Sequence, residues 1–261
     1  MVRKILIGLS AIALGVLATQ QPTIALIFVG VGVAAFLARR TQEEDVDPEV
    51  EKDVIATAAA AFTSADAENR RVRARSAMEV ARRELGMDAA EDDDSPIPLD
   101  ETGLSSLRVG YADEVPYVAI THDMGDRTEM TFVIRRPRSM LGLPPIVDNT
   151  PLQNAGFEYR LRRMDLGGAV GEQLDGATNR PRLFRELLAG GLLDDLSYAH
   201  YDSQFRLEDL VYSGKTLTIL VQPAVDPTQT AFAMQALMYA QPLVDRIRAF
   251  LLQTEISSAQ P

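Results

Sequence analysis

His122 stands beside Asp123 and four residues before Asp126, and His200 sits between Ala199 and Tyr201 with Asp202 close behind. An imidazole among carboxylates is the beginning of a metal site or of a general base, and a metal needs three or four converging ligands. Isolated His–Asp neighbours are also what turns at strand ends produce, where histidine satisfies local hydrogen bonds. The run Gly167-Gly168-Ala169-Val170-Gly171 has the glycine content of a phosphate-cradling loop. Such a loop must close on Gly-Lys-Ser/Thr, and here Glu172-Gln173 follows, so the run reads as a loop and a helix start. No serine lies in a Gly-x-Ser-x-Gly setting. The chain has no cysteine, which excludes disulfides, thiolate metal ligands and cysteine nucleophiles. Accordingly no catalytic, cofactor-binding or metal-ligating residue is assigned, and no cofactor is expected. Two arginine clusters remain: Arg135, Arg136 and Arg138, then Arg160, Arg162 and Arg163. Near a bilayer such residues engage anionic headgroups at about 1 kcal/mol each. The first cluster is the candidate for that contact, and ion pairing with the chain's own carboxylates is the other use for both.

The elements that would position these residues are strands and helices in segregated runs. Leu107–Tyr111 and Tyr117–Ile120 read as strands, and Thr128–Arg135 alternates, with Met130, Phe132 and Ile134 on one face. Phe157–Arg162 reads as another strand, and Arg182–Leu193 as a helix with Leu183, Phe184, Leu187 and Leu188 on its apolar side. Phe205–Tyr212 and Thr216–Val221 form a hairpin about Ser213-Gly214. Thr228–Leu252 is a closing amphipathic helix. This order predicts an α+β fold, an antiparallel sheet with segregated helices, over residues 104–261.

Ahead of that domain lie two uncharged apolar stretches, Ile5–Ala18 and Ile24–Ala38, separated by Thr19-Gln20-Gln21-Pro22-Thr23. Extended to Val2 and Thr19, and back to Pro22, each reaches the lower limit of about 17 residues for a spanning helix. Two helices satisfy the demand that every backbone polar group in lipid be paired internally. Arg3 and Lys4 precede the pair, and Arg39 and Arg40 follow it. The positive-inside rule then puts both chain ends in the cytoplasm of a multi-pass cell-membrane protein. The other reading is a signal peptide cleaved after Val16-Leu17-Ala18, leaving one anchor. Ala11 with Gly15, and Gly30 with Ala34, are small residues four apart, which lets helix backbones approach closely within the hairpin or between two copies.

Residues 41–86 read as a long helical stalk. Asp47-Pro48-Glu49 is a strong start, and Gly86 is a natural stop. Val50, Val54, Ala58, Ala61 and Ala65 alternate by four and three, a short coiled-coil-like seam. Thr63-Ser64 is where the helix would break in two. Residues 87–103, with Glu91-Asp92-Asp93-Asp94, Pro96 and Pro98, read as an acidic linker. Lys+Arg 26 against Asp+Glu 37 gives a formal charge of −11. That balance argues against nucleic acid as a partner, because phosphate neutralisation by basic residues supplies most of that affinity.

Phe157-Glu158, the run Arg182-Leu183-Phe184-Arg185-Glu186-Leu187-Leu188, Gly214–Ile219 and a last helix initiated by Asp226 come in that order behind the apolar pair. In this the chain resembles prokaryotic membrane-anchored proteins of unknown function, which carry two transmembrane helices, a linker and an α+β domain. The resemblance implies an anchored cytoplasmic domain and supplies no catalytic residues. Two functions stay open: a non-enzymatic scaffold that binds a protein partner or itself, and an anchored enzyme or small-ligand receptor built on arginine and carboxylate side chains.

Overall fold

Pro48, whose missing N–H would be unpaired in any first helical turn, opens helix α1 (Pro48–Glu84), which runs unbroken through Thr63-Ser64. The structure is a computed structural model and describes residues 48–87, 95–125, 129–137, 141–143, 145–154, 157–200, 202 and 204–259. The two apolar stretches, with Ala11, Gly15, Gly30, Ala34, Arg3, Lys4, Arg39 and Arg40, lie outside these residues, as do Arg138 and the side chains of the Val50–Ala65 seam. No helix among the described residues is long and apolar enough to cross a membrane.

The chain divides into two units between Val72 and Arg73, within α1. In the first, Arg70 pairs with Asp66 one turn earlier at 2.9 Å. In the second, α1 ends as Gly86 permits: its φ of 71° lets Gly86 N–H reach Arg83 O and Met87 N–H reach Arg82 O. Those two bonds cap the last carbonyls.

Among the described residues nine strands form the sheet of the second unit, each pairing antiparallel. They are β1 (Ile97–Pro98), β2 (Ser105–Ala112), β3 (Val115–Asp123), β4 (Phe132–Arg135), β5 (Thr150–Asn154), β6 (Phe157–Met164), β7 (Asp175–Thr178), β8 (Phe205–Tyr212) and β9 (Thr216–Pro223). Their order is β1-β2-β3-β9-β8-β4-β7-β6-β5. The expected α+β class is therefore present, with more sheet than the alternation alone announces. β1 falls within the stretch read as linker, and β5 and β7 are additions. The turn between β2 and β3 places Asp113 and Glu114 at φ 47° and 67°, the doubly left-handed geometry that matches strand twist in a two-residue hairpin.

Helices cover one face: α2 (Gly168–Gln173), α3 (Pro181–Leu187) with a kinked segment after it (Leu188–Leu192), α4 (Leu193–His200) and α5 (Ala233–Ala259). Alternation sends Leu107, Val109, Val118, Ile120, Phe132, Ile134, Leu210, Tyr212, Leu217, Ile219 and Val221 to this side. There they meet Phe184, Leu187, Leu192 and Leu196. From α5 come Ala236, Ala240, Leu243, Val244, Ile247 and Leu251, a helical stripe at intervals of three and four. Phe132 stacks between Phe184 and Tyr212, at centroid distances of 5.2 and 5.6 Å. The expected Arg182–Leu193 helix stops short at a turn: Gly191, at φ 110°, leaves the helical conformation, and α4 begins beyond it as a second helix. Arg246 braces that turn by donating to Gly190 O and to Asp195. The other face holds a smaller cluster, Val133, Ile146, Leu161 and Ala177.

The end of α1 belongs to the main core. Ala77, Met78 and Ala81 are buried in it, Val109 N–H points at Met78 Sδ at 3.2 Å, and Arg82 donates to Ser95 O. Glu84 reaches furthest. Its carboxylate accepts the backbone N–H groups of Phe232, Ala233 and Met234 at 2.8, 2.7 and 3.0 Å. The last helix is thus capped by a side chain 149 residues away in sequence from Ala233, and not by Asp226. The expected start at Thr228 is corrected for the same reason. Asp226 accepts the Thr228 N–H and hydroxyl and the Tyr111 hydroxyl, holding residues 226–230 in turns. Although burial alone would raise it, these hydrogen bonds hold the Asp226 carboxyl below its ordinary value.

Candidate functional site

Buried apolar side chains along β8 fall at 205, 207, 210 and 212, so the period of two slips by one residue between 207 and 210. The slip is a β-bulge. Leu207 lies opposite Val221 and Asp209 opposite Leu220, leaving Glu208 as the extra residue. Two consecutive carboxylates are buried as a result. Glu208 is 1% exposed and Asp209 6%.

Each carboxylate meets an arginine carried by the end of β4. Arg135 is the register partner of Asp209, and its Nε and Nη2 donate to Oδ1 and Oδ2 at 3.2 and 2.9 Å. This forked pair is the geometry in which guanidinium and carboxylate match best. Burial pushes the Asp209 carboxyl above its ordinary value, and Arg135 opposes the rise. Arg136 turns the other way. Its N–H bonds to Glu208 O, its Nε to Leu207 O, and its Nη1 to Gln173 on α2. Glu208 Oε1 takes Arg206 Nε at 2.7 Å, with Arg136 Nε at 3.6 Å. Burial lowers the Arg136 guanidinium, while Glu208 supports it.

The Arg135–Asp209 pair is part of a longer row. Arg163 on β6 pairs with Asp175 on β7, and Asp175 is the register partner of Arg135. Leu161, Ala177, Val133 and Val211 mark the common face of these four strands. Charges therefore alternate Arg163, Asp175, Arg135, Asp209 across β6, β7, β4 and β8, each sign opposite its neighbour as cross-strand pairing favours. Arg135 and Arg136 are committed to these ion pairs, so headgroup contact would have to compete with them. Arg160 and Arg162 are exposed.

The histidines lie elsewhere. His122 ends β3 with Nδ1 2.8 Å from Ser105 Oγ, its register partner on β2. Asp123 accepts Gly125 N–H. The His200 side chain is outside the described residues. Gly167 stands at φ 71° before α2, a helix of six residues. Among the described residues no group of three or more His, Asp or Glu side chains converges as a metal site would require. Glu208 and Asp209 were not among the residues singled out in the sequence, although the slip in the β8 alternation was the signal for both.

Burial, then Arg248, lowers the His122 imidazole below its ordinary value, with Asp100 and Asp245 pulling the other way. The unfolded chain therefore takes up the proton at higher pH than the folded one. The neutral ring's contribution is complete above 6.5, the ordinary value, and is lost as pH falls through the lower folded value. Between about pH 7.5 and pH 5 the wild-type melting temperature is expected to fall more than that of His122→Gln. Equal falls would remove His122 from the acid response.

No family model matches the chain, and no curated protein matches it. A solved structure with a partial likeness is that of the mycobacterial trehalose monomycolate transport factor A, TtfA. It is 13% identical, with a TM-score of 0.37, over 70% of this chain and 96% of that one. A likeness that distant bears on neither the activity nor the partners of this chain.

Proposed function

We propose that this chain is an integral membrane protein that holds a non-enzymatic α+β interaction domain at the cytoplasmic face of the cell membrane, where it binds a protein partner or a second copy of itself. The observation that carries the reading is the pair of uncharged apolar stretches, Ile5–Ala18 and Ile24–Ala38, bracketed by Arg3, Lys4, Arg39 and Arg40. Ala11, Gly15, Gly30 and Ala34 would pack the two helices on each other. The way α1 ends supports the reading. A tether must be fastened to what it carries, and Met78, Ala81, Arg82 and Glu84 fasten the end of α1 into the domain. The buried charges of β4 and β8 fit the same reading, because Arg135 and Asp209 satisfy each other rather than facing a ligand.

The absence of cysteine makes the topology directly testable. Gln21→Cys is expected to react with a membrane-impermeant maleimide on intact cells, and Ser257→Cys only after permeabilisation. The reverse pattern, or labelling of both on intact cells, would end the cytoplasmic assignment. Crosslinking of the full chain in cells, followed by mass spectrometry, tests the partner: a reproducible protein partner or self-crosslink supports the scaffold, and neither would count against it.

A further inference from the structure

The arginines of β6 divide between its two faces. Arg163 pairs with Asp175 on one. Arg160 and Arg162 stand on the other, the face that Phe132 and Thr178 share. The register fixes what lies beside them. Arg162 is the partner of Thr178, the last residue of β7, and α3 opens three residues later at Pro181. The run Arg180-Pro181-Arg182-Leu183-Phe184-Arg185 therefore leaves the sheet beside the Arg160–Arg162 part of β6. Two arginines of that run have solvated partners: Arg180 pairs with Glu129, and Arg182, 92% exposed, with Glu186 at 3.1 Å. Pairs as exposed as these hold little free energy. Arg160, Arg162 and Arg185 are exposed and form no ion pair among the described residues. Residues 157–162 and 180–187 together carry five arginines against two carboxylates, Glu158 and Glu186, in a chain whose carboxylates outnumber its basic groups.

The form of this corner decides what it suits. Its free guanidinium groups are solvent-exposed on a strand and a short helix, so they make an open surface. A small anion is held where it can be enclosed, whereas an open basic surface suits an extended anionic one. Guanidinium groups are weakly hydrated and match phosphate oxygens with two parallel N–H donors. We propose that the corner formed by Arg160, Arg162 and the Arg180–Arg185 run docks on the phosphates of anionic lipid headgroups and so lays the domain against the bilayer. The proposal rests on the membrane anchor proposed above. An anchored domain meets the bilayer at high effective concentration, so a contact too weak to recruit a free protein still orients a tethered one. It also moves headgroup contact away from Arg135 and Arg136, whose charges the sheet has already paired.

The test uses the full chain in vesicles of phosphatidylcholine alone or mixed with phosphatidylglycerol. Ala189 is exposed and one turn beyond Arg185, and the chain has no cysteine, so Ala189→Cys takes a single donor dye. Energy transfer to a headgroup-labelled acceptor lipid reports how close this corner lies to the bilayer. Transfer is expected to rise with phosphatidylglycerol and to fall as salt screens the contact. Replacing Arg160 and Arg162 by Gln should lower the ratio of docked to undocked domain by about fivefold for each arginine. Replacing both by Lys should keep most of the transfer, and Arg108→Gln, at an exposed arginine of β2, should keep all of it. Transfer that ignores phosphatidylglycerol, or that falls as far in Arg108→Gln or the Lys variant as in the Gln variant, overturns the proposal while the anchor stands. A chain that alkaline carbonate strips from the vesicles overturns the anchor, and the proposal with it.

Discussion

Glu84→Ala is expected to lower the stability of the folded domain by about 3 kcal/mol, a fall of roughly 6–12 °C in melting temperature for a unit of this size. The carboxylate receives three N–H groups at the start of α5. Those groups have no intrahelical acceptor. An ordinary N-cap loss costs about 1 kcal/mol. Here the acceptor is charged, which raises each bond to about 1.5–3 kcal/mol. Met234 is half-exposed, so water can replace its share, whereas Phe232 and Ala233 are 0% exposed and would keep unpaired donors. One effect runs the other way. Glu84 lies in the last turn of α1, where a negative charge opposes that helix's own dipole at about 0.3–1 kcal/mol. Arg82 and Arg83 in the same turn offset it, and two buried donors outweigh it. Thermal unfolding of the full chain is the measurement, with Glu84→Gln expected between wild type and alanine because one oxygen remains. A shift under about 2 °C for Glu84→Ala would mean that water caps α5 as well as Glu84 does.

The same contact marks where sequence reading stops. β9 was legible because Leu217, Ile219 and Val221 alternate with Thr216, Thr218 and Leu220, and α5 was legible from its stripe of small and apolar residues. Both are local patterns. Glu84 capping Ala233 is not local, and nothing near Glu84 distinguishes it from the other carboxylates of α1. With no partner for the helix start in view, Asp226 looked like the cap, since Asp is a good one. β7 was missed for a related reason. Asp175-Gly176-Ala177-Thr178 has little strand propensity, and it is a strand because β4 and β6 supply partners on both sides. β1 is two residues long, too short for any period to show. Pro151 in β5 hides a strand that sits at the sheet edge, where the ladder tolerates a missing donor. The buried charges were half legible. The slip in β8 is visible in the sequence, but Arg135 lies 74 residues from Asp209, and only the strand order brings them together.

That distance makes the Arg135–Asp209 pair the second place where one substitution should have a large effect. Arg135→Met keeps the aliphatic stem and removes the charge, leaving Asp209 buried beside Glu208. At neutral pH the expected loss is about 3–5 kcal/mol, the cost of breaking a buried pair from one side. The pair itself is worth much less, because both groups gave up water to form it. The double variant Arg135→Met, Asp209→Leu is therefore expected to recover most of the loss, although two mutations were made. The pH response separates this account from simple loss of packing. Burial and the Glu208 charge already raise the Asp209 carboxyl, and Arg135 holds it down. Without Arg135 the folded variant binds the proton at higher pH than the unfolded chain does. Its penalty is then full above that raised value and shrinks as pH falls towards the carboxylate range. Urea unfolding of wild type, single and double variants at about pH 7.5 and about pH 5 measures both effects. A single variant equally damaged at both pH values, or a double variant no better than the single, would mean that the Arg135 stem and not its charge matters here.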